Sequence, residues 1–464
     1  MIDCRLDTRF VVLFAFFAIF STLLVPVKPA FAELLTLEQA IEKALNSDPR
    51  ISEQRAMVKH AEAQLAEAEN GNGLVVSANT FLGISPGLTG GLFDGSCGSG
   101  VECKSRNDRF DLAEGLSPWY YLQYSFIKPL ATFGKIENFA IAAKHNIKLK
   151  EQGVRLQRGN TAFDVKKAYY GYITAHNTNL FLTDIQSRID SAIDTTEILL
   201  EDDEGKVTQS DLYALKSASA LAESYVVRAR ALETVALEGL KVLIGMPLTE
   251  SLELADTRVI PLALPQEALA SLQNAAMAKR PEIVQLDQGL KARRALVKAK
   301  RAMGKPNLYA GVAGMLSYSP LRSRVDNPHI TDPFNDAGIT PLVGVQWQWS
   351  GGVQDARARQ SQAELDALVE KNAFAQRGIP YQVSESYAQV RAYYESTSSL
   401  KKSAKAARKW MISSYADFEA GIEPVGKMVT AFQGYVLSYT QYLTTVYDYN
   451  MHVANLQRMT GDYQ

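Results

Sequence analysis

The chain has 464 residues, of which 47% are hydrophobic and 21% charged, and its formal net charge is -1 at pH 7. A chain without excess positive charge is a poor candidate for binding nucleic acid. Its five histidines show no metal-ligand spacing, and no phosphate-binding loop occurs. We therefore expect no enzyme activity, no metal site and no cofactor.

The N-terminus has the pattern of a secretory signal. Arg5 and Arg9 precede an apolar run over residues 10–25, and residues 29–32 end in an Ala-Phe-Ala cleavage pattern. The alternative is a membrane anchor, but the run is short of the roughly 20 apolar residues that a spanning helix needs. We predict a cleaved signal peptide over residues 1–32 and an exported protein.

Two helices are predicted at the start of the mature chain. Residues 37–45 carry apolar side chains at helical spacing. Ser47 or Asp48 can cap a second helix that begins at Pro49, because proline suits the first helical position. That helix is expected to run to about Asn70.

Four segments of about ten residues then show strand periodicity, a length and pattern typical of transmembrane β-strands. They are residues 74–84, 117–128, 307–318 and 341–350. The alternative is a half-buried sheet in a soluble sandwich. The aromatic residues predicted to face lipid are Tyr120, Tyr124, Phe126, Trp347 and Trp349.

Each strand pair is followed by a very long predicted helix, a tight turn and a returning helix. The two helical hairpins cover residues 135–244 and 352–460, with turns at Gly205 and Gly421. At ~1.5 Å per residue, the first long helix would measure about 100 Å. Helices of this length are unusual in globular domains, where helices average about 11–12 residues.

The two hairpins belong to a duplication. Asp48-Pro49 returns as Arg280-Pro281, and Tyr169 returns as Tyr387, in the same order along the chain. We predict two structural repeats, 33–250 and 251–464. The fold class is mostly α with a small β part.

A Gly-rich loop in the first repeat contains Cys97 and Cys103. Because the protein is expected to be exported, a local disulfide between them is the favoured interpretation. A metal site is the alternative, but no histidine lies nearby.

Four strands alone cannot form a closed barrel, and open sheet edges cannot face lipid. The chain must therefore oligomerise if it enters a membrane. Three copies would supply twelve strands, enough to enclose a lumen.

The duplicated layout, Leu37-Glu38-Gln39-Ala40, Thr132-Phe133-Gly134-Lys135 and the turn after Gly205 together resemble the TolC-type outer-membrane efflux proteins. The resemblance implies a homotrimer with a twelve-stranded β-barrel among outer-membrane lipids and a helical tunnel extending into the periplasm. It also implies an exit duct for a tripartite efflux pump or a type I secretion system. The implied partners are a periplasmic adaptor (membrane fusion) protein and an inner-membrane transporter.

In this arrangement the turns would form the periplasmic tips, where docking opens the channel. The predicted docking residues are Gly205, Lys206, Val207, Thr208, Gly421, Ile422 and Glu423. The resemblance also implies an aperture one or two helical turns beyond the tips, and the candidates for it are Asp211, Lys427 and Thr430. Because Lys427 and Thr430 stand where relatives often carry aspartates, Asp211 and Lys427 could instead pair between neighbouring hairpins.

Two other function classes stay open at this stage. One is a coiled-coil tether between the outer membrane and periplasmic partners, although a tether needs no lipid-facing strands. The other is a barrel enzyme acting on lipid, which the absence of a Ser/His pair near a strand disfavours. The transported compound does not follow from the sequence.

Overall fold

The structure, a computed structural model, describes residues 34–87, 93–94, 104–105, 115–202, 207–322 and 331–463. The predicted signal peptide lies outside these residues, as do Cys97, Cys103, Gly205 and Lys206. None of the described helices has both the length and the apolar composition needed to cross a membrane.

Helices dominate the described chain. Two of them, Lys135–Glu201 and Val353–Glu419, have 67 residues each and occupy the predicted positions, and the second continues through Pro380. The helices are α1 (Leu37–Ser47), α2 (Pro49–Asn70), α3 (Lys135–Glu201), α4 (Gln209–Ile244), α5 (Leu269–Lys279), α6 (Pro281–Ala302), α7 (Val353–Glu419) and α8 (Val425–Met459).

The described strands are β1 (Val75–Pro86), β2 (Phe93–Asp94), β3 (Lys104–Ser105), β4 (Leu116–Ala131), β5 (Asn307–Tyr318) and β6 (Asp336–Gln346). The four longer strands form one antiparallel sheet in the order β1-β4-β5-β6, and the two short strands, β2 and β3, pair separately. In the described chain, neither β1 nor β6 has a second neighbour, so both are edge strands.

The fourth strand differs from its prediction over 341–350. It begins at Asp336 and ends at Gln346, which leaves Trp347 and Trp349 outside the sheet. The reason is pairing: Asn307, where β5 begins, is the partner of Gln346, so no residue of β5 remains to pair with Trp347. The placement of these two tryptophans in a strand was therefore wrong.

The chain divides into two compact units, and each takes segments from both predicted repeats. The first unit contains residues 1–47, 164–261 and 396–450, and the second contains residues 48–163, 262–395 and 451–464. The turns between long helices belong to the first unit, and the sheet belongs to the second.

Within the first unit, Tyr169 anchors the start of the described chain. Its side chain is fully buried, and its hydroxyl lies 2.8 Å from Asp256 Oδ2 and 3.3 Å from the Leu35 carbonyl. Burial, and secondarily the hydrogen bond with Asp256, raises the pKa of Tyr169 above its ordinary value, so it stays a neutral donor. Leu35 also forms a parallel β-bridge with Leu254.

Within the second unit, Asp48 begins α2 as the sequence predicts. Its carboxylate accepts from the Arg50 backbone N–H at 2.8 Å and from Thr161 Oγ1 at 2.5 Å. Burial alone would raise the pKa of Asp48, but hydrogen bonds from the Arg50 side chain and Thr161 outweigh it, and the pKa lies below its ordinary value. The capping residue therefore also ties α2 to α3.

Asp48→Asn is expected to destabilise the protein at neutral pH by about 1.5–3 kcal/mol, the range for hydrogen bonds to a charged group. A carboxylate with a lowered folded pKa contributes fully above its unfolded value, about 3.9, and loses that contribution as pH falls through the folded pKa. The stability difference between the variant and the parent should therefore shrink below about pH 4. Denaturant unfolding at several pH values checks this.

The control is Glu53→Gln, which neutralises an exposed carboxylate on the same helix α2. It should change stability little at any pH. A constant difference between Asp48→Asn and the parent down to pH 3 would contradict the role assigned to the Asp48 charge.

Candidate functional site

The first turn between long helices ends in a capping box. Thr208 Oγ1 accepts from the Asp211 backbone N–H at 3.3 Å, and Asp211 Oδ2 accepts from the Thr208 backbone N–H at 3.0 Å. The two side chains also hydrogen-bond at 2.6 Å. Asp211, proposed from the sequence as an aperture residue, thus satisfies orphan donors at the start of α4.

The second turn is a complete Schellman motif. Gly421 has φ +70°, its N–H donates to the Phe418 carbonyl at 2.9 Å, and the Ile422 N–H donates to the Asp417 carbonyl at 2.8 Å. This left-handed position ends α7 and is the reason that glycine stands here. The next residue, Ile422, is 73% exposed, so an apolar side chain projects into solvent at the turn.

Gly421→Ala is expected to destabilise the second turn by about 1–2 kcal/mol, because a Cβ is strained in the left-handed region. Faster proteolytic cleavage within residues 420–424 measures this. Gly426→Ala is the matched control: Gly426 lies inside α8 with open space around it, so alanine should stabilise there by about 0.5–1 kcal/mol. Equal cleavage of both variants would contradict the prediction.

The other two candidate aperture residues lie in the first two turns of α8. Lys427 Nζ forms an ion pair with Glu423 at 3.2 Å, and Thr430 Oγ1 donates to the Gly426 carbonyl at 2.8 Å. Both side chains are exposed. Within the described chain, Asp211 and Lys427 bond to residues of their own hairpins, and a pair between them across neighbouring hairpins stays a prediction.

Residues at both helical turns pack in the same hydrophobic core. The core takes residues from α3, α4, α7 and α8, so it joins the two hairpins of the first unit. Val425 and Met428 from the start of α8 are buried in it, at 1% and 0% exposure, and Val207 packs against its edge. The turns are consequently coupled to the packing of four helices.

The sheet of the second unit has two chemically different faces. Directly paired residues share a face, and neighbours along a strand alternate. What we call the apolar face carries Val76, Leu82, Tyr120, Leu122, Tyr124, Phe126, Val312, Leu316, Ile339 and Val343. What we call the polar face carries most of the polar side chains, Ser77, Asn79, Gln123, Ser125, Ser317, Asp336 and Thr340, together with Phe81, Trp119 and Tyr121.

The most exposed apolar side chains of the sheet lie on the apolar face. Leu82 is 80% exposed, Val343 74% and Ile339 67%. On the polar face the hydroxyls of Ser77 and Ser125 hydrogen-bond across two strands at 2.7 Å. A sheet that exposes this much aliphatic surface on one side requires an apolar surrounding there.

The aromatic residues predicted to face lipid fall into two groups. Tyr120, Tyr124 and Phe126 lie on the apolar face. Trp347 and Trp349 follow β6 with 65% and 79% exposure, and Trp347 Nε1 donates to the Gly304 carbonyl at 3.1 Å. They lie beside the end of the sheet rather than on its face.

No protein-family model and no curated protein matches the chain. Solved structures do: it resembles the outer-membrane channel OprN at a TM-score of 0.71 and 17% identity, covering 92% of this chain and 90% of that one. For the CmeC outer membrane channel of Campylobacter jejuni the TM-score is 0.74 and the identity 11%, with 92% and 85% covered. The open-state MtrE outer membrane channel of Neisseria gonorrhoeae gives 0.70 and 15%, with 92% and 88% covered.

The chain has the fold of these outer-membrane channels. The predicted resemblance to TolC-type proteins is confirmed at the level of the fold.

Proposed function

We propose that the chain is the outer-membrane exit duct of a tripartite efflux pump or a type I secretion system, a passive channel. One observation carries the proposal: an antiparallel sheet gathers its most exposed aliphatic side chains on one face, and among the described residues its two edge strands have no second neighbour. In a bilayer, backbone groups at a sheet edge must find partners. Further copies of the same chain supply them if the edges β1 and β6 of neighbours pair.

The proposed assembly is a homotrimer, because three four-stranded sheets give a twelve-stranded barrel wide enough for a lumen. The first unit supports self-association independently. An apolar groove of about 1300 Å³ between α3, α4 and α8 exposes Leu232, Val235 and Leu437, with exposures of 64%, 66% and 68%. A second copy of the chain is the proposed occupant, since continuous apolar surface of this kind marks a protein interface.

The proposed partners at the helical turns are a periplasmic adaptor and an inner-membrane transporter that supplies the energy. Ile422 and Thr208 are exposed there, and Gly205 and Lys206 belong to the same proposed docking surface. Asp211, Lys427 and Thr430 stay proposed aperture residues. The location that follows is the outer membrane, with the helices in the periplasm.

The test is the mass of the purified, signal-cleaved protein in detergent together with its conductance in a planar bilayer. A trimer that conducts would support the exit duct. A stable monomer without conductance would contradict it and favour the coiled-coil tether.

Docking is tested by placing a photo-crosslinking amino acid at Ile422 in cells. A product that contains the adaptor is expected, whereas the same label at Lys401, exposed on α7 away from the turn, should give none. Equal products at both positions would count against docking at the turn.

A further inference from the structure

The segments that follow β5 and precede β6 fold back onto the sheet. A buried ion pair joins them: Arg322 Nη1 lies 2.5 Å from Asp332 Oδ1, and the side chains are only 1% and 3% exposed. Asp332 Oδ1 also accepts from the Phe334 backbone N–H at 3.1 Å. The Arg322 guanidinium lies over the Phe334 ring, 5.0 Å from its centroid. We call the described residues 319–322 and 331–335 the cap.

The cap lies on the polar face of the sheet. Phe334 meets Trp119 edge to face, with ring centroids 5.1 Å apart. Trp119 Nε1 donates to Ser317 Oγ at 2.7 Å, and Ser317 Oγ donates to the Pro333 carbonyl at 2.7 Å. Because Trp119 and Ser317 both belong to the polar face, this chain of contacts places residues 333–334 over that face.

Three buried serines hold the other side of the cap. Ser319 Oγ lies 2.7 Å from Ser85 Oγ and 2.7 Å from Ser117 Oγ, and all three residues are at most 2% exposed. Ser117 Oγ also accepts from the Leu321 backbone N–H at 3.1 Å. The cap is therefore attached to β1, β4 and β5 through buried polar contacts.

The ion pair is incompletely satisfied. Within the residues that the structure describes, neither Arg322 Nε nor Asp332 Oδ2 has a hydrogen-bond partner, although both atoms are buried. A buried pair of this kind contributes little net stability, since the desolvation of its charges offsets their attraction. It does specify one position for the cap, because either charge alone would be left buried without its partner.

We propose that the cap narrows the channel at the loop end of the sheet and sets the size of the solutes that pass. The inference rests on the proposed function: if the apolar face meets lipid, the polar face lines the lumen, and the cap projects into it. Phe334 is the residue that limits the opening, and Arg322 and Asp332 are the positioning residues that hold Phe334 against Trp119. Three copies would place three caps around one lumen.

The experiment measures access to a cysteine beyond the cap. Ser125→Cys lies on the polar face six residues farther along β4 than Trp119, away from the loop end. With Cys97 and Cys103 replaced by serine, two membrane-impermeant reagents are added outside intact cells: a small methanethiosulfonate and a maleimide on a polyethylene glycol chain. The small reagent should label Ser125→Cys readily, and the polymer should label it slowly.

Breaking the cap should admit the polymer. The double variant Arg322→Gln/Asp332→Asn should raise the polymer labelling rate at least about tenfold. The labelling rate is proportional to the fraction of molecules in which the cap is displaced, so a tenfold larger fraction gives a tenfold faster rate. Phe334→Ala should do the same while leaving the ion pair intact, which covers the case that the double variant fails to fold. Arg293→Gln/Glu364→Gln breaks an exposed ion pair between α6 and α7 of the same unit and should change nothing.

The outcomes separate the two proposals. If the small reagent labels Ser125→Cys but neither cap variant speeds the polymer, the cap does not limit passage and the inference is overturned. If the small reagent never reaches Ser125→Cys, the polar face does not line a lumen, and the proposed function is overturned together with the inference.

Discussion

Ile339→Arg is expected to abolish insertion of the assembled protein into membranes. Ile339 is the fourth of the eleven residues of β6, lies on the apolar face and is 67% exposed. An arginine on the lipid side of a barrel costs about 2–4 kcal/mol near the bilayer midplane, and a trimer would contain three of them. We expect folding into lipid vesicles, followed by the gel mobility of the folded species, to fall to background.

The adjacent residue gives a matched control. Thr340 is also exposed and lies at the same depth of β6, but on the polar face. Thr340→Arg should therefore insert and assemble like the parent, because its side chain would enter a water-filled lumen. In a soluble protein both exposed positions would tolerate arginine, so equal insertion of the two variants would refute the orientation of the sheet.

Met428→Ala is expected to loosen the second helical turn. Met428 is fully buried in the core shared by the four long helices, three residues after α8 begins. Truncating a buried methionine to alanine costs about 2–5 kcal/mol. If the cleavage rate follows the population of molecules in which the turn is open, a loss of about 2 kcal/mol predicts cleavage within residues 420–424 about 30-fold faster than in the parent.

The same variant should increase the bilayer conductance of the assembled protein if separation of the helices widens the channel entrance. Ser413→Ala on α7 removes an exposed hydroxyl but no core contact and should leave both measurements unchanged. Faster cleavage without a change in conductance would show that this core stabilises the turn but does not control the channel.

The two long helices and the alternation of the strands were accessible from the sequence because both are local patterns. Helix α3 begins at the predicted Lys135 and β5 has the predicted bounds Asn307–Tyr318, since hydrophobic period and glycine placement mark an element along its own length. The same alternation placed Tyr124 and Phe126 on the apolar face, because successive residues of a strand must point to opposite sides.

Pairing between distant segments was decided by the tertiary structure. The end of β6 at Gln346 depends on where its partner β5 begins. The alternation of side chains along one strand does not specify which residues of the other strand they pair with. Thr161 joins Asp48 across 113 residues, and Trp119 donates to Ser317 across 198. No sequence pattern near either residue predicts such a hydrogen bond, because the donor and the acceptor become neighbours only when separate elements pack.

The sequence by itself thus determined the kinds of element, their order and the two faces of each strand, since these follow from side-chain periodicity. The tertiary structure decided which charges pair. Asp211 caps its own helix, and Arg322 joins Asp332 in the cap. The physical reason is that a charged side chain takes whichever partner the fold places within hydrogen-bond distance, and that distance is a property of packing rather than of spacing along the chain.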